Sequence, residues 1–254
     1  MDLGDVALLL AAGLAAGTVN AVAGGGSLVT YPTLLATGLP PVAANVTNSI
    51  GVAPGYLGAV LGSRPDLAGQ RHRARWLLLT SALGSVAGAA ILLLTPERAF
   101  EVVVPFLVLG ASATLAFQDR LRALVGHPAV GSPRRQTIAL HLVVGLATLY
   151  GGYFGAALGV LLVALIALVV ADTMARVSAL KNLVSAVVGV VTVAVFAVFG
   201  PVDWLAALVL APTTVIGGYA GARFARRLPH ALWKALIAGF GTLVGAILLV
   251  QAFT

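Results

Sequence analysis

The chain reads as an all-α polytopic membrane protein built from two inverted repeats, each a broken helical hairpin followed by three transmembrane helices. Three observations predict this fold. Hydrophobic residues fill 60% of the 254 positions and charged residues only 9%, against roughly 25% charged in a soluble domain, and the mean hydropathy is +1.04. The basic residues gather in three loops, and glycine, asparagine and proline positions recur at a near-constant offset between the two halves.

Composition sets the class. Apolar runs of about 20 residues recur with few charges inside them, the signature of helical spans rather than of a membrane barrel's alternation. A soluble enzyme is excluded. Cysteine is absent, so there is no disulfide framework and no thiolate metal site. The first apolar run, Val6 to Val22, follows Met1-Asp2-Leu3-Gly4-Asp5 with no basic residue, whereas a cleaved secretory signal starts positive. The net charge of +7 would suit nucleic acid, but the bases lie in short loops between spans, where membrane orientation accounts for them.

Six ordinary spans are predicted: Ala43 to Leu61, Trp76 to Leu94, Ala99 to Phe117, Val177 to Phe199, Leu205 to Ala222 and Leu232 to Gln251. Two segments of about 35 residues, Val6 to Leu39 and Thr137 to Ala171, are each interrupted by glycine near the middle. Each is either one broken span or a hairpin.

Loop charge ranks these alternatives. Arg64, Arg71, Arg73 and Arg75 share one loop, Arg120, Arg122, Arg134 and Arg135 a second, and Arg223, Arg226, Arg227 and Lys234 a third, so twelve of fifteen basic residues lie in three places. The positive-inside rule puts all three in the cytoplasm. Val177 to Phe199 then exits and Leu205 to Ala222 returns, so Thr137 to Ala171 must begin and end inside, as a hairpin. The same logic makes Val6 to Leu39 a hairpin entered from outside and places both termini outside. Eight conventional spans in two four-span repeats is the alternative, and it would put the third basic loop outside.

The halves also resemble each other. An offset of 134 aligns Gly17 with Gly151, Gly25 with Gly159, Asn48 with Asn182 and Gly55 with Gly189. An offset of 133 then aligns Gly84 with Gly217, Gly88 with Gly221 and Pro96 with Pro229. The copies are expected at 1–125 and 126–254 of a single transmembrane domain. A hairpin plus three spans is an odd number of crossings, so the second copy is inverted, and a ligand site is expected near the midplane where helices break.

The stretch Asn20 to Asn48 carries the candidate chemistry. Gly24, Gly25 and Gly26 strip side chains from membrane depth, and a helix resuming at Ser27 would aim its positive end into the same space, in outline an anion site. The bland reading is that these glycines let two hairpin arms pack closely. Asn45, Asn48 and Ser49 share a helix face at i, i+3 and i+4, beside Thr47. Their donors suit an oxyanion, though capping and cross-helix bonding are common duties for such residues. In the second copy Ser178, Lys181, Asn182 and Ser185 share the matching face after Arg176. A cation there would hold an anion, or both cations would reach to lipid headgroups.

Other chemistry is unsupported. The remaining GxxxG pairs suit helix packing, the four histidines show no i, i+4 pairing for a metal, and no carboxylate sits securely inside a span. There is no phosphate-binding G-x-x-x-x-G-K-S/T run and no nucleophile–base pair.

The run G-T-V-N-A-V-A-G-G-G-S-L-V-T-Y-P-T-L-L from Gly17 and P-P-V-A-A-N-V-T-N-S from Pro40 resemble the TauE/SafE sulfite exporter family, with Y-G-G-Y-F-G-A-A-L-G from Tyr150 and A-L-K-N from Ala179 as a more divergent second copy. The resemblance covers essentially the whole chain. It implies a polytopic inner-membrane permease for small anions such as sulfite, sulfoacetate or related sulfonates, moved in either direction. The residues and the resemblance together lead to an expected secondary anion transporter that works by alternating access, with a passive anion channel as the alternative. The expected partners are a small anionic substrate and the lipid bilayer. No cofactor, metal or nucleic acid is implied, and a coupling ion or homo-oligomer is compatible with the chain but not specified by it.

Overall fold

The computed structural model describes residues 1–22, 25–117, 119–120, 132–224 and 230–253. Among these, the chain forms ten α-helices and one short 3-10 turn. The first five are α1 (Leu3–Val22), α2 (Ser27–Ala36), α3 (Pro41–Gly62), α4 (Arg71–Leu94) and α5 (Glu97–Ala116). The second five are α6 (Pro133–Tyr153), α7 (Leu158–Val169), α8 (Met174–Phe199), α9 (Trp204–Phe224) and α10 (His230–Phe253). The order long, short, long, long, long occurs twice. The predicted boundary after residue 125 lies outside the described residues, as do Arg122, Arg226 and Arg227.

The helices overrun the predicted spans at their starts by one to five residues, because α-helix continues past the apolar run that fills the hydrocarbon. Five of them, α1, α4, α5, α8 and α10, are long and apolar enough to cross a membrane. Helices α3 and α6 are of similar length, at 22 and 21 residues. They dilute their apolar runs, α3 with Asn45, Thr47, Asn48 and Ser49, α6 with Arg134, Arg135, Gln136 and His141. By contrast α2 has 10 residues and α7 has 12, a rise of about 15–18 Å, roughly half of the hydrocarbon core.

Local chemistry sets these half-helices. At the end of α2, Gly38 takes φ +85°. Its N–H donates to Leu35 O while the Leu39 N–H donates to Leu34 O, a Schellman stop that needs a residue without Cβ. Before α7 the chain turns through Gly155 (φ +75°) and Ala157 (φ 55°), and the Tyr150 hydroxyl closes the turn on Ala156 O at 2.6 Å.

Neighbour contacts fix the directions. Along α1, Gly13 meets Thr213 and Gly17 meets Thr214 and Gly218 of α9. Along α3, the Thr47 hydroxyl accepts from Asp203 N at 3.0 Å and Gly51 O accepts from Thr214 Oγ1 at 2.8 Å. Both α1 and α3 therefore run parallel to α9, so the α1–α2 pair begins and ends at the same level. It is a hairpin. The second pair behaves alike: Thr80 bonds His141 at 2.6 Å and Gly84 meets Thr148, making α6 parallel to α4, while beyond α7 Asp172 returns to Arg73.

The copies are inverted. Helix α8 runs antiparallel to α3: Asn182 bonds Ala59 O, Gly189 meets Ala53 and Tyr56, and Gly200 meets Val46. Helix α10 runs antiparallel to α5, with Gly241 on Ser112 and Gly245 on Leu109. Each is a pair of equivalent elements from the two copies. The exchanged pairs also match, since α1 packs on α9 as α6 packs on α4. A Cβ on Gly84 would lie 2.2 Å from Thr148 Oγ1 and one on Gly217 would lie 2.2 Å from Leu14 O, and Leu14 and Thr148 differ by the repeat offset. The outer surface carries large apolar side chains, among them Leu83, Leu146, Leu208 and Leu243, each more than half exposed. Such a surface suits lipid and not water.

Candidate functional site

Two of the spaces between the copies adjoin each other at the centre of the bundle. The larger, about 450 Å3, runs from the end carrying the basic loops toward the centre, between α1, α3, α8, α9 and the start of α7. Its polar lining is Asn20, Tyr56, Lys181, Asn182, Ser185, Thr214 and Tyr219. Four of the predicted residues therefore meet here from both copies. Ser185 is buried and its hydroxyl has no protein partner, one helical turn from Lys181 on the same face. Asn182 differs from expectation, because its amide donates to Ala59 O at 3.3 Å and Ser63 Oγ at 3.1 Å. Its N–H donors hold α8 to α3, and only its carbonyl oxygen remains for a guest.

The smaller space, about 20 Å3, has room for about one water. It lies at the centre between the hairpin tips and shares Val52 and Tyr56 with the larger cavity. Ser27 and Asn48 line it. The Thr30 hydroxyl donates to Asn48 Oδ1, so what Asn48 offers is its amide N–H group. The two spaces are repeat-related. Gly17, Asn20, Gly55 and Asn182 of the large cavity correspond, at the offset of 134, to Gly151, Phe154, Gly189 and Asn48 of the small one.

One substitution between the copies explains part of their difference in size. Where the first copy has Asn20, the second has Phe154, which is buried against Tyr31 (5.3 Å between ring centroids), Phe100 (6.4 Å) and Tyr150 (6.5 Å), with Tyr153 on Phe100 at 5.7 Å. These edge-to-face contacts hold Phe154 in the wall of the small chamber.

The other predicted residues have different surroundings. A Cβ on Gly26 would lie 2.5 Å from Ala16 O, and one on Gly25 would meet Leu115 Cδ2 at 3.3 Å, so both face helices rather than cavity. Gly24 lies outside the described residues. Asn45 donates to Tyr153 O at 2.8 Å, tying α3 to the second hairpin tip, and its Oδ1 is buried without a partner. Thr47 holds the start of α9 through Asp203 N. Ser178 is half-buried and lines neither space. Tyr56, Thr214 and Tyr219 join the large cavity from outside the predicted set. For Tyr56 the signal exists, since Asn45, Asn48, Ser49, Val52 and Tyr56 continue a single helix face.

An all-helical bundle of two inverted copies, with hairpins that break inside it and a mainly apolar central cavity carrying a few polar side chains, is the architecture of a multi-pass membrane permease. The family model described as "Sulfite exporter TauE/SafE" matches residues 9–248, and the chain belongs to that family. Similar proteins include a "Probable membrane transporter protein" of Haemophilus influenzae, 26% identical over 88% of this chain and 87% of that one. Another is the "Probable membrane transporter protein ORF9" of a Sinorhizobium species, 25% identical over 87% and 83%. The "Probable membrane transporter protein YfcA" of Escherichia coli K12 is 24% identical over 92% and 84%. No solved structure matches the chain.

Proposed function

We propose that the chain is a secondary transporter of small anions, working by alternating access between its two inverted copies. The observation that carries this is the pair of repeat-related spaces, one of about 450 Å3 on the side of the basic loops and one of about 20 Å3 at the centre, lined mostly by buried residues. In an inverted repeat the small space is what the large one becomes when the copies exchange conformations. Lys181, Ser185 and Asn20 supply a cation, a hydroxyl and an amide for an oxyanion entering the cavity. Asn48 and Ser27 supply the donors it meets on passing Val52 and Tyr56. The family's description names sulfite, and the site's chemistry suits sulfite, sulfonates or related organosulfur and organic anions.

The whole chain acts as one transport domain in the inner membrane, with basic loops cytoplasmic, both termini outside and no catalytic role. A passive anion channel would need a continuous opening, and the aromatic cluster around Phe154 disfavours it. In proteoliposomes, Lys181→Ala and Asn48→Ala are each expected to reduce sulfite or sulfonate flux by about tenfold or more, an effect on the scale of one charge-assisted hydrogen bond. Unloaded and substrate-loaded vesicles separate carrier from channel, because counterflow accelerates only a carrier. Wild-type flux in both variants would defeat the assignment.

A further inference from the structure

A second cavity, about 380 Å3, lies away from the proposed path at the basic end, between the starts of α4 and α6 and the turn joining α7 to α8. Gln70, His72 and Arg73 line it from the first copy, and Gln136, Asp172 and Arg176 from the second. Two guanidiniums face one carboxylate. Arg176 is committed, with Nε 2.8 Å from Asp172 and Nη1 donating to Ala68 O at 2.9 Å. Arg73 is not held in the same way: Nη1 is 3.7 Å from Asp172 and 3.4 Å from Gln70 Oε1, with the side chain 40% exposed. A carboxylate at that distance leaves a guanidinium its short charge-assisted bonds to give elsewhere. The cavity therefore carries surplus positive charge and planar donors suited to a phosphate.

Its depth is marked by Trp76, a lining residue that is 47% exposed and covered by the Arg75 guanidinium at 5.4 Å from the ring centroid. Tryptophan paired with arginine belongs at the headgroup level. Below it the exposed Leu79, Leu83, Leu142 and Leu146 run down α4 and α6, a surface on which acyl chains can lie. We propose that this cavity binds the phosphate of an anionic phospholipid, or of a soluble phosphate ester with the same chemistry, through Arg73, His72 and Gln136. Because its walls come from both copies, occupancy ties the α3–α4 loop to the α7–α8 turn and stabilises the fold.

The test is thermal unfolding of the purified full-length protein with phosphatidylglycerol, with phosphatidylcholine, or with glycerol phosphate. Phosphatidylglycerol is expected to raise Tm by several degrees over phosphatidylcholine in the wild type and in Lys181→Ala. Arg73→Gln and, independently, His72→Gln are expected to lose about half of that shift or more, and Arg73→Lys to retain part of it. If glycerol phosphate alone reproduces the shift, and Arg73→Gln abolishes it, the site stands with a soluble ester as its ligand. Equal shifts in the wild type and both glutamine variants, or equal shifts from the two lipids, overturn the proposal.

Discussion

Asparagine at three places in this chain performs three different tasks, and only hydrogen-bond accounting separates them. Asn45 ties α3 to a hairpin tip, Asn182 ties α8 to α3, and Asn48 keeps its N–H group for the central chamber because Thr30 has taken its carbonyl oxygen. A buried amide without partners is costly, so most of these groups are used in holding the bundle. The glycines divide in the same way. Gly26→Ala puts a Cβ 2.5 Å from the Ala16 carbonyl, a backbone atom that cannot move alone, whereas Gly25→Ala meets only leucine methyls, the nearest on Leu115 at 3.3 Å. Gly26→Ala is therefore expected to destabilise by about 1–3 kcal/mol and Gly25→Ala to stay near wild type, read as Tm of the purified protein. The opposite ranking would show that Gly26 is not a packing residue.

At the scale of elements, two half-length helices fold back beside full-length ones, and the second return is held at its base. For the second hairpin the base is Asp172, within reach of Arg176 and Arg73. Burial disfavours its charge, but hydrogen bonds from Arg176 and the Thr173 amide, with the charges of Arg176 and Arg73, prevail and hold the carboxyl below its ordinary value of 3.8. A depressed carboxylate stabilises the fold above the unfolded value, and that contribution is lost as pH falls through the folded one. Asp172→Asn should accordingly lower Tm by a few degrees at neutral pH, with the difference from wild type shrinking below about pH 3.8. A constant difference across that range would remove the ion pair from the account.

For the whole molecule, inversion follows from two antiparallel contacts between equivalent helices, α3 with α8 and α5 with α10. It also fixes which ends lie together, since α6 begins and α3 ends at the basic end while α10 ends opposite. In this cysteine-free chain, an impermeant maleimide on intact cells is expected to label Ala252→Cys and to spare Ser132→Cys. Labelling of Ser132→Cys from outside would reverse the orientation.

The sequence by itself determined the class, the inversion and most of the helices. Apolar run length, loop charge and repeat offset are each local or additive quantities. Arg64 to Arg75 mark one membrane face without reference to anything they touch, and Gly55 matches Gly189 by position alone. It also placed Lys181, Asn182 and Ser185 on one helix face, because helical spacing is enough for that. Tertiary structure decided what those faces meet. Gly26 and the amide of Asn182 are consumed by packing, Tyr56 joins the cavity, and Phe154 occupies in one copy the place that Asn20 holds open in the other. None of this is encoded in spacing, since a polar group's availability depends on the partner that reaches it first, and that partner can lie 156 residues away, as Asp203 does from Thr47.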